Sequence, residues 1–348
     1  MNNLGTLSYR KNTQVLFTDI PLMDQHCDPA ILAVMPAGCH VISVTPHGKS
    51  SWATGYKVSI DVDGEISDYF LKVVRGPHHS DMARGEFESQ RELQKYLPDN
   101  VALPLAYGIF ELDPSSSFFL TPFRHLVEDA VDPLRLAKVL TTLHQDSLSP
   151  TGKFGFHVAT FNGIVPLING WCDTWEEYFS RQLRADIQWL QGRRGPDPKF
   201  DEVAKPFFEK VIPRLLRPLQ SGGRSIKPTL VHGDVYPGNV QLDGSTQRVI
   251  LYDSCCCYGH NELDLAMMRE PRYGFTSEHV AEYRDLVQPS EPVEDFDDRN
   301  AIYAMRDNII NAGLHDHRQS LRERVVEEME RLIKKYPDGI DGYEITLR

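Results

Sequence analysis

Thr229-Leu-Val-His-Gly-Asp-Val-Tyr-Pro-Gly-Asn-Val-Gln-Leu242 is the most informative stretch of this 348-residue sequence. Its first apolar residues predict a short strand, which leads through His232-Gly-Asp234 into a turn that contains Pro-Gly and ends at Asn239. A second apolar run, Val249-Ile-Leu-Tyr-Asp253, also ends in a carboxylate. Three side chains that carry oxygen ligands are therefore expected at the ends of short strands.

This ordered set suits phosphoryl transfer, in which positioning and charge neutralisation provide most of the catalysis. Asp234 would orient an attacking hydroxyl and accept its proton, while Asn239 and Asp253 would hold Mg²⁺ on a triphosphate. Mg²⁺ prefers hard oxygen ligands of this kind. Turns rich in Asp and Asn also form without any function. The combination of H-G-D-x₄-N with an apolar strand that ends in Asp favours a catalytic and metal-binding centre.

The hydrophobic pattern divides the chain into two parts. Strands are predicted at 41–44, 56–62, 68–74, 105–110 and 117–121, with a hairpin turn at Asp63-Gly64 and one helix at 81–97. Beyond residue 122 helical periodicity dominates, at 133–147, 173–192, 200–219, 277–287, 297–313 and 319–335. We therefore predict an α+β protein with a small β-rich N-lobe (1–122), a larger helical C-lobe (123–348) and a hinge near 121–126. Composition alone leaves other α+β arrangements open.

The N-lobe supplies a cation that suits phosphate binding. Lys72 lies within the apolar strand 68–74, and Glu86 falls on the apolar face of the helix 81–97, whereas Glu88 falls on its polar face. A carboxylate on an apolar face needs a buried cation, and Lys72 is the simplest partner. We predict a Lys72–Glu86 ion pair that presents Lys72 to a phosphate. Alternatively, Lys72 is an edge lysine unrelated to the glutamate.

A loop that covers phosphates is expected between the first two strands. The segment 45–55 contains Gly48, Ser50 and Ser51, which suit backbone and hydroxyl contacts to phosphate. It matches neither GxGxxG nor GxxxxGK[ST], and a plain hairpin loop explains it equally well.

Bulk properties exclude several other classes. Lys and Arg total 37 against 49 Asp and Glu, a formal charge of −12, which argues against a broad nucleic-acid-binding surface. Neither a transmembrane span nor an apolar signal core is apparent, so we expect a cytoplasmic protein without a membrane partner. The six cysteines contain no CxxC pair and three are consecutive, which favours reduced apolar residues over a zinc site.

Three segments together resemble the fructosamine-3-kinase (ketosamine-3-kinase) family, relatives of aminoglycoside phosphotransferases. HGDVYPGN at 232–239 is similar to that family's HGDLWSGN, and YDSCCCYGHNELDLA at 252–266 to its DPASFYGHSE-type segment. KFGFH at 153–157, with 162–166 and the tryptophans at 171 and 175, resembles its KFGFH…GxxPQxNxW…W stretch. The last match separates this family from aminoglycoside and choline kinases. The resemblance runs from about 41 to 335.

The resemblance implies a two-lobed protein-kinase-like fold that uses ATP and Mg²⁺. It implies that Asp234 is the catalytic base, that Asn239 and Asp253 are metal ligands, and that Lys72, paired with Glu86, contacts the α- and β-phosphates. Adenine would be held by the hinge, including Thr121 and Phe123. His232 and Asp264 would be structural, and the sugar-binding wall would draw on Trp171, Trp175, Tyr236 and His260.

The implied reaction is ATP-dependent phosphorylation of ribulosamines or fructosamines at the sugar 3-hydroxyl, on free or protein-bound lysine adducts, which would promote deglycation. Tyr236-Pro237 replaces the family's Trp-Ser, and the run Ser254–Cys257 replaces Pro-Ala-Ser-Phe after the metal aspartate. These departures keep open a kinase for another small hydroxyl or amine compound. A non-catalytic nucleotide-binding scaffold is a third hypothesis, and oxidation of Cys255–Cys257 would be a way to disturb nucleotide binding.

Overall fold

The structure is a computed structural model that describes residues 27–343. The outer ends of the two predicted lobes, 1–26 and 344–348, lie outside the described residues. In chain order, the main elements are α1 Pro29–Leu32, β1 His40–Lys49, β2 Ala53–Val62, β3 Glu65–Arg75, α2 His79–Tyr96, β4 Ala106–Ile109, β5 Ser116–Pro122, β6 Leu126–Val127, α3 Pro133–Asp146, β7 Phe161–Asn162, β8 Val165–Pro166, α4 Trp175–Arg194, α5 Pro198–Pro206, α6 Ile212–Leu216, β9 Thr229–Val231, β10 Val240–Asp243, β11 Val249–Leu251, β12 Cys257–Gly259, α7 Ser277–Leu286, α8 Phe296–Leu314 and α9 Ser320–Lys335.

The N-terminal part is a five-stranded antiparallel sheet in the order β1-β2-β3-β5-β4. Alternate residues of β2, β3 and β5 point into a small apolar core, which α1 covers through Ile31. The predicted turn at Asp63-Gly64 joins β2 and β3, and both residues have positive φ as this hairpin requires. β1 extends to Lys49, beyond the predicted strand 41–44, so the loop before β2 is reduced to a short turn.

The remaining chain is mainly helical, and it encloses a single large core cluster around α4 and α8. Most predicted helices agree with the structure to within about two residues. The predicted helix 200–219 is instead divided into α5, a π-helical turn at Phe207–Val211, α6 and a 3₁₀ turn at Arg217–Gln220. Pro206, Pro213 and Pro218 fall within this region, and proline removes the N–H that a continuous α-helix uses.

Two small sheets lie where the lobes meet. β9 pairs with β12, and β10 pairs with both β11 and β6. The loop after β9 and the loop after β11 are therefore held side by side. This pairing brings the two predicted functional segments, around Asp234 and around Asp253, to one edge of the C-lobe.

α2 packs between the sheet and the C-lobe, and this corrects the prediction that Glu88 lies on a polar face. Glu88 is buried and pairs with His157 (3.0 Å), and Glu92 accepts a hydrogen bond from the Tyr258 hydroxyl (3.1 Å). The prediction assumed one buried face, whereas the helix is covered on two sides. The close packing needs glycine at 85, where a Cβ would lie 2.5 Å from the carbonyl oxygen of Ala159.

Within residues 27–343, none of the helices combines the length and apolar character that crossing a bilayer requires. All six cysteines lie in this range as free thiols, and Cys255–Cys257 are fully buried. The sheet ends at Pro122, while the division of the chain at 122/123 into independent units stays a prediction.

Gly85→Ala tests the close packing of α2. Alanine in a helix normally stabilises by about 0.5–1 kcal/mol relative to glycine, but the clash with Ala159 is expected to lower the unfolding free energy by about 1–3 kcal/mol. The measurement is urea unfolding. Gly192→Ala on α4 is the matched control, since its Cβ would meet nothing within 4 Å, and it should stabilise. An equal gain in unfolding free energy in both variants would contradict the close contact between Gly85 and Ala159.

Candidate active site

The loop that carries Asp234 is held by Asp264, which lies in a 3₁₀ helix at Asn261–Arg269. The two carboxylate oxygens of Asp264 accept the backbone N–H groups of His232 and Gly233, each at 2.8 Å. His144 lies 3.1 Å from the same carboxylate. Burial opposes the charge of Asp264, but hydrogen bonding and the neighbouring histidines lower its pKa below the usual value. The loop is thus anchored by a fully buried carboxylate.

His232 gives the loop a second fixed point. Its Nδ1 accepts the backbone N–H of Asp234 at 3.3 Å, and its Nε2 lies 3.1 Å from the carbonyl oxygen of Tyr252. The carbonyl is an acceptor, so Nε2 carries the proton. Burial lowers the pKa of His232, which agrees with a neutral ring. The histidine therefore connects the Asp234 loop to the Asp253 loop.

Asp234 lies at the base of the cleft between the lobes. Asn239 donates to its Oδ2 at 2.7 Å, and Asn162, from the β7–β8 hairpin, donates to its Oδ1 at 3.5 Å. Loss of hydration, and then the charges of Asp253 and Asp307, raise the pKa of Asp234 well above the usual value. A carboxyl with a raised pKa that faces a cavity is a suitable acceptor for a hydroxyl proton.

Asp253 faces Asp234 from a strained backbone position, with φ of +55°. Non-glycine residues are uncommon in this left-handed region, and such strain is concentrated at functional sites. Its Oδ1 accepts Lys72 Nζ at 2.6 Å, and its carbonyl oxygen accepts Asn239 Nδ2 at 3.3 Å. Asp253 is thereby joined both to the N-lobe and to the Asp234 loop.

The predicted ion pair between Lys72 and Glu86 is present, with Nζ 2.7 Å from Oε2. Lys72 thus bridges two carboxylates. Burial opposes its charge, but Asp253 and Glu86 together raise its pKa, so the ammonium remains protonated. Burial is the main cause that raises the pKa of Glu86 to about 7, against the opposing effect of Lys72.

Asn239 and Asp253 offer a pair of hard oxygen ligands for Mg²⁺. Among residues 27–343, no group of three or more His, Cys, Asp and Glu side chains suits a metal ion, so phosphate oxygens and water would complete the coordination. Mg²⁺ is usually bound in this way. The side chain of Asp253 is 46% exposed toward the cleft, and Asn239 lines the same cleft. The residues present therefore fit a divalent cation.

Two cavities meet at Lys72, Tyr236 and Asp253. The first is a cleft of about 570 Å³ beneath the sheet, and it is lined by Gly48, Ser50, Thr121, Phe123 and Asn239 among others. The first four are predicted nucleotide-binding residues, and Asn239 is a predicted metal ligand. Ser51 is exposed and does not line the cleft, which corrects its predicted role. The reason is the short β1–β2 turn, in which the Ser50 hydroxyl accepts the N–H of Ala53 at 3.0 Å and turns residue 51 outward.

The second cavity, of about 150 Å³, lies beyond Asp234 and is named the acceptor pocket below, after the role proposed for it. Four aromatic side chains line it, those of Trp52, Phe161, Tyr236 and Tyr273. The polar lining is contributed by Asn162, Asp307, Asn311, His315 and Arg318, in addition to the residues around Asp234. Aromatic faces and hydrogen-bonding groups in this combination suit a polyhydroxylated molecule.

Three of the residues predicted for a sugar-binding wall lie elsewhere. Trp175 and His260 are fully buried, and each bonds the Tyr303 hydroxyl, at 2.8 and 2.9 Å. Trp171 stacks on Tyr258 and lines neither cavity. Aromatic residues near a core more often pack than bind. Of the predicted set, Tyr236 alone lies at the acceptor pocket.

Other residues line the acceptor pocket in place of Trp171, Trp175 and His260, and the sequence did not identify them in advance. Asn162 stood in a segment already quoted for its family resemblance, so its position was a usable signal. Asp307 is a carboxylate within the apolar helix α8, where it is buried and bonds Tyr273 and Asn311. Trp52 lies in a turn of no recognisable motif, and nothing in the sequence placed it beside Asp234.

The three consecutive cysteines lie directly behind the Asp253 loop. Burial raises the pKa of all three thiols, to about 11 for Cys257. Thiols react as thiolates and need access to the oxidant. The hypothesis that oxidation of Cys255–Cys257 regulates the site is therefore not supported, and the residues act as small apolar packing groups.

The sequence is similar to a known protein family and to named relatives. A family model described as fructosamine kinase matches residues 45–334. A chloroplastic protein-ribulosamine 3-kinase from Oryza sativa subsp. japonica is 28% identical over 248 residues, which cover 69% of this chain and 66% of that protein. The chain thus spans about two thirds of this relative's length.

Solved structures share the fold. A Thermobifida fusca protein that carries the provisional name fructosamine-3-kinase superposes with a TM-score of 0.66 at 20% identity, covering 85% of this chain and 95% of that one. A thermostable mutant of aminoglycoside phosphotransferase APH(4)-Ia, in a ternary complex with AMP-PNP and hygromycin B, superposes with a TM-score of 0.58 at 14% identity, covering 87% of this chain and 97% of that one. At these identities the likeness establishes the architecture, and it confirms the predicted two-lobed kinase-like α+β fold.

Asp264→Asn tests whether this residue anchors the loop. One acceptor oxygen becomes an NH₂ group facing a backbone N–H donor, so the unfolding free energy is expected to fall by about 3 kcal/mol, as measured by urea unfolding. Asp316→Asn, which removes an exposed partner of Arg194, is the control and should change stability little. Equal effects in the two variants would contradict an anchoring role.

Proposed function

The chain belongs to the fructosamine kinase family, and we propose that it is an ATP-dependent kinase that phosphorylates ketosamines on a sugar hydroxyl. The observation that carries this proposal is the position of Asp234 and Asp253. They lie between a cleft that suits a nucleotide and a smaller pocket that suits a sugar, and both cavities reach Asp253 and Lys72. An acceptor hydroxyl and a terminal phosphate can therefore meet beside Asp234.

Each residue of the centre has a chemical task in this proposal. Asp234 accepts the proton of the attacking hydroxyl, and Asn239 and Asn162 hold its two oxygens in place. Lys72 is oriented by Glu86 and Asp253 and would contact the α- and β-phosphates. The β1–β2 turn places Gly48 and Ser50 above the same cleft, and Thr121 and Phe123 line its far end, where the adenine would bind.

Asn239 and Asp253 would hold Mg²⁺, which when bound neutralises charge on the phosphates during transfer. Lys72 would remain protonated throughout, because its pKa is raised by Asp253 and Glu86 despite its burial. In-line transfer needs little further chemistry from the protein, since placement of the hydroxyl and neutralisation of the phosphates supply most of the rate.

The acceptor is proposed to be a ribulosamine or a fructosamine, phosphorylated at the sugar 3-hydroxyl. Support comes from the family and from the relative named for ribulosamine. The aromatic and polar lining of the small pocket agrees with a single sugar unit. Phosphorylation at this position would destabilise the adduct and so promote deglycation of free or protein-bound lysine. A reducing compartment such as the cytosol suits the six free thiols.

A kinase for another small hydroxyl compound is the second candidate. Tyr236 and Pro237 stand where the family motif has Trp-Ser, and Tyr236 lines the acceptor pocket. Its ring lies 5.3 Å from that of Tyr273, so the pair shapes one wall. A change at this wall alters which acceptor fits without altering Asp234 or Lys72. A non-catalytic scaffold is disfavoured, because every charged and amide group that transfer requires is in place.

A panel of acceptors tests the substrate class. With MgATP, the purified protein is expected to release ADP with ribulosyl-lysine or fructosyl-lysine, and phosphorus NMR of the product should show the phosphate on the 3-hydroxyl. Aminoglycosides and choline serve as comparison acceptors. Turnover of these alone would favour the second candidate, and no turnover with any acceptor would favour the scaffold.

Asp234→Asn tests the catalytic base. The amide keeps the shape of the side chain but cannot accept the proton, so kcat is expected to fall by at least about 100-fold, whereas binding of an ATP analogue should persist. Asp285→Asn, at an exposed position of α7, is the control. Retention of wild-type kcat by Asp234→Asn would show that this residue is not the base.

A further inference from the structure

The β1–β2 turn faces both cavities at once. Gly48, Ser50 and Ala53 line the nucleotide cleft, whereas Trp52 lines the acceptor pocket. The Ser50 hydroxyl accepts the N–H groups of Trp52 (3.3 Å) and Ala53 (3.0 Å), so the turn has a defined shape. A movement of the turn toward the phosphates would therefore carry the indole of Trp52 with it.

The indole of Trp52 lies against the C-lobe, on the turn between β7 and β8. A Cβ at Gly163 would lie 3.1 Å from Trp52 Cη2 and 3.2 Å from a methyl carbon of Leu314. Gly163 has a φ of +60°, a conformation that glycine adopts without strain. The absence of a side chain at this position gives the indole room to lie directly on the hairpin.

The same hairpin holds the acceptor side of Asp234. Asn162 precedes Gly163 and donates to Asp234 Oδ1, and the Phe161 ring lies 5.8 Å from that of His78 at the start of α2. The N-lobe thus contacts the hairpin at two places. Of the two N-lobe side chains in these contacts, Trp52 lines the acceptor pocket and His78 does not.

We propose that Trp52 is a specificity-determining residue that closes the acceptor pocket from the N-lobe and couples acceptor binding to nucleotide binding. This inference rests on the proposed kinase function and deepens it. The flat apolar face of an indole suits the C–H face of a sugar. Because one turn lines both cavities, nucleotide that draws the turn toward the phosphates also places Trp52 over the acceptor. Such coupling is reciprocal, so acceptor tightens nucleotide binding by the same factor.

Binding of fructosyl-lysine or ribulosyl-lysine, measured by calorimetry with and without AMP-PNP and Mg²⁺, tests the coupling. In the wild type, AMP-PNP should tighten acceptor binding by about tenfold, within the usual range of such couplings. Trp52→Ala is expected to raise the acceptor KM by about tenfold, to leave AMP-PNP binding in the absence of acceptor within about twofold of the wild type, and to abolish the effect of AMP-PNP on acceptor binding. Trp52→Phe keeps an aromatic face, and its acceptor KM should lie between those of the wild type and Trp52→Ala.

Trp171→Phe is the matched control, because Trp171 lines neither cavity, and its acceptor KM should equal that of the wild type. Urea unfolding of each variant checks that it is folded. An unchanged acceptor KM in a folded Trp52→Ala, or an equal weakening of AMP-PNP binding in the absence of acceptor, would overturn the proposed role of Trp52 and leave the kinase function intact. No turnover of any ketosamine by the wild type would instead overturn the proposed function, and this inference with it.

Discussion

The ammonium of Lys72 between Glu86 and Asp253 is the interaction on which the site depends. It joins β3, α2 and the loop after β11, which come from both lobes. A buried charge is costly unless it is paired, and removing one partner leaves the other uncompensated. The three elements are therefore held in one relative arrangement, which places the cation proposed to bind phosphate beside the carboxylate proposed to hold Mg²⁺.

Around that interaction, the two sides of the centre are built differently. The Asp234 loop is fixed from behind by buried groups, since Asp264 and His232 bond its backbone directly. The acceptor side is formed by side chains from separate elements, including Tyr236, Tyr273 and Trp52. The proposed proton acceptor thus lies on a loop fixed by buried groups, while the proposed acceptor pocket is lined by side chains from several elements.

The parts that were predictable from sequence are those encoded by local pattern. The Lys72–Glu86 pair followed from one residue in an apolar strand and one on an apolar helix face. Trp175 and His260 were misplaced because local pattern does not distinguish a core aromatic from one at a pocket. Trp52 was missed because its position depends on contact between lobes, far apart in sequence. The burial of Glu88 and the division of the helix at 200–219 had a similar origin, since periodicity assumes one covered face and an unbroken backbone.

The contacts of α2 limit how far this helix can move relative to the C-lobe. In many two-lobed kinases the corresponding helix swings outward to break its ion pair and switch activity off. Here α2 is fastened to the C-lobe by the Glu88–His157 pair, by the Ser89 hydroxyl on the backbone N–H of Cys256 (3.2 Å), and by the glycine contact with Ala159. An outward swing would break all of these together. These contacts therefore hold α2 in the position that pairs Glu86 with Lys72.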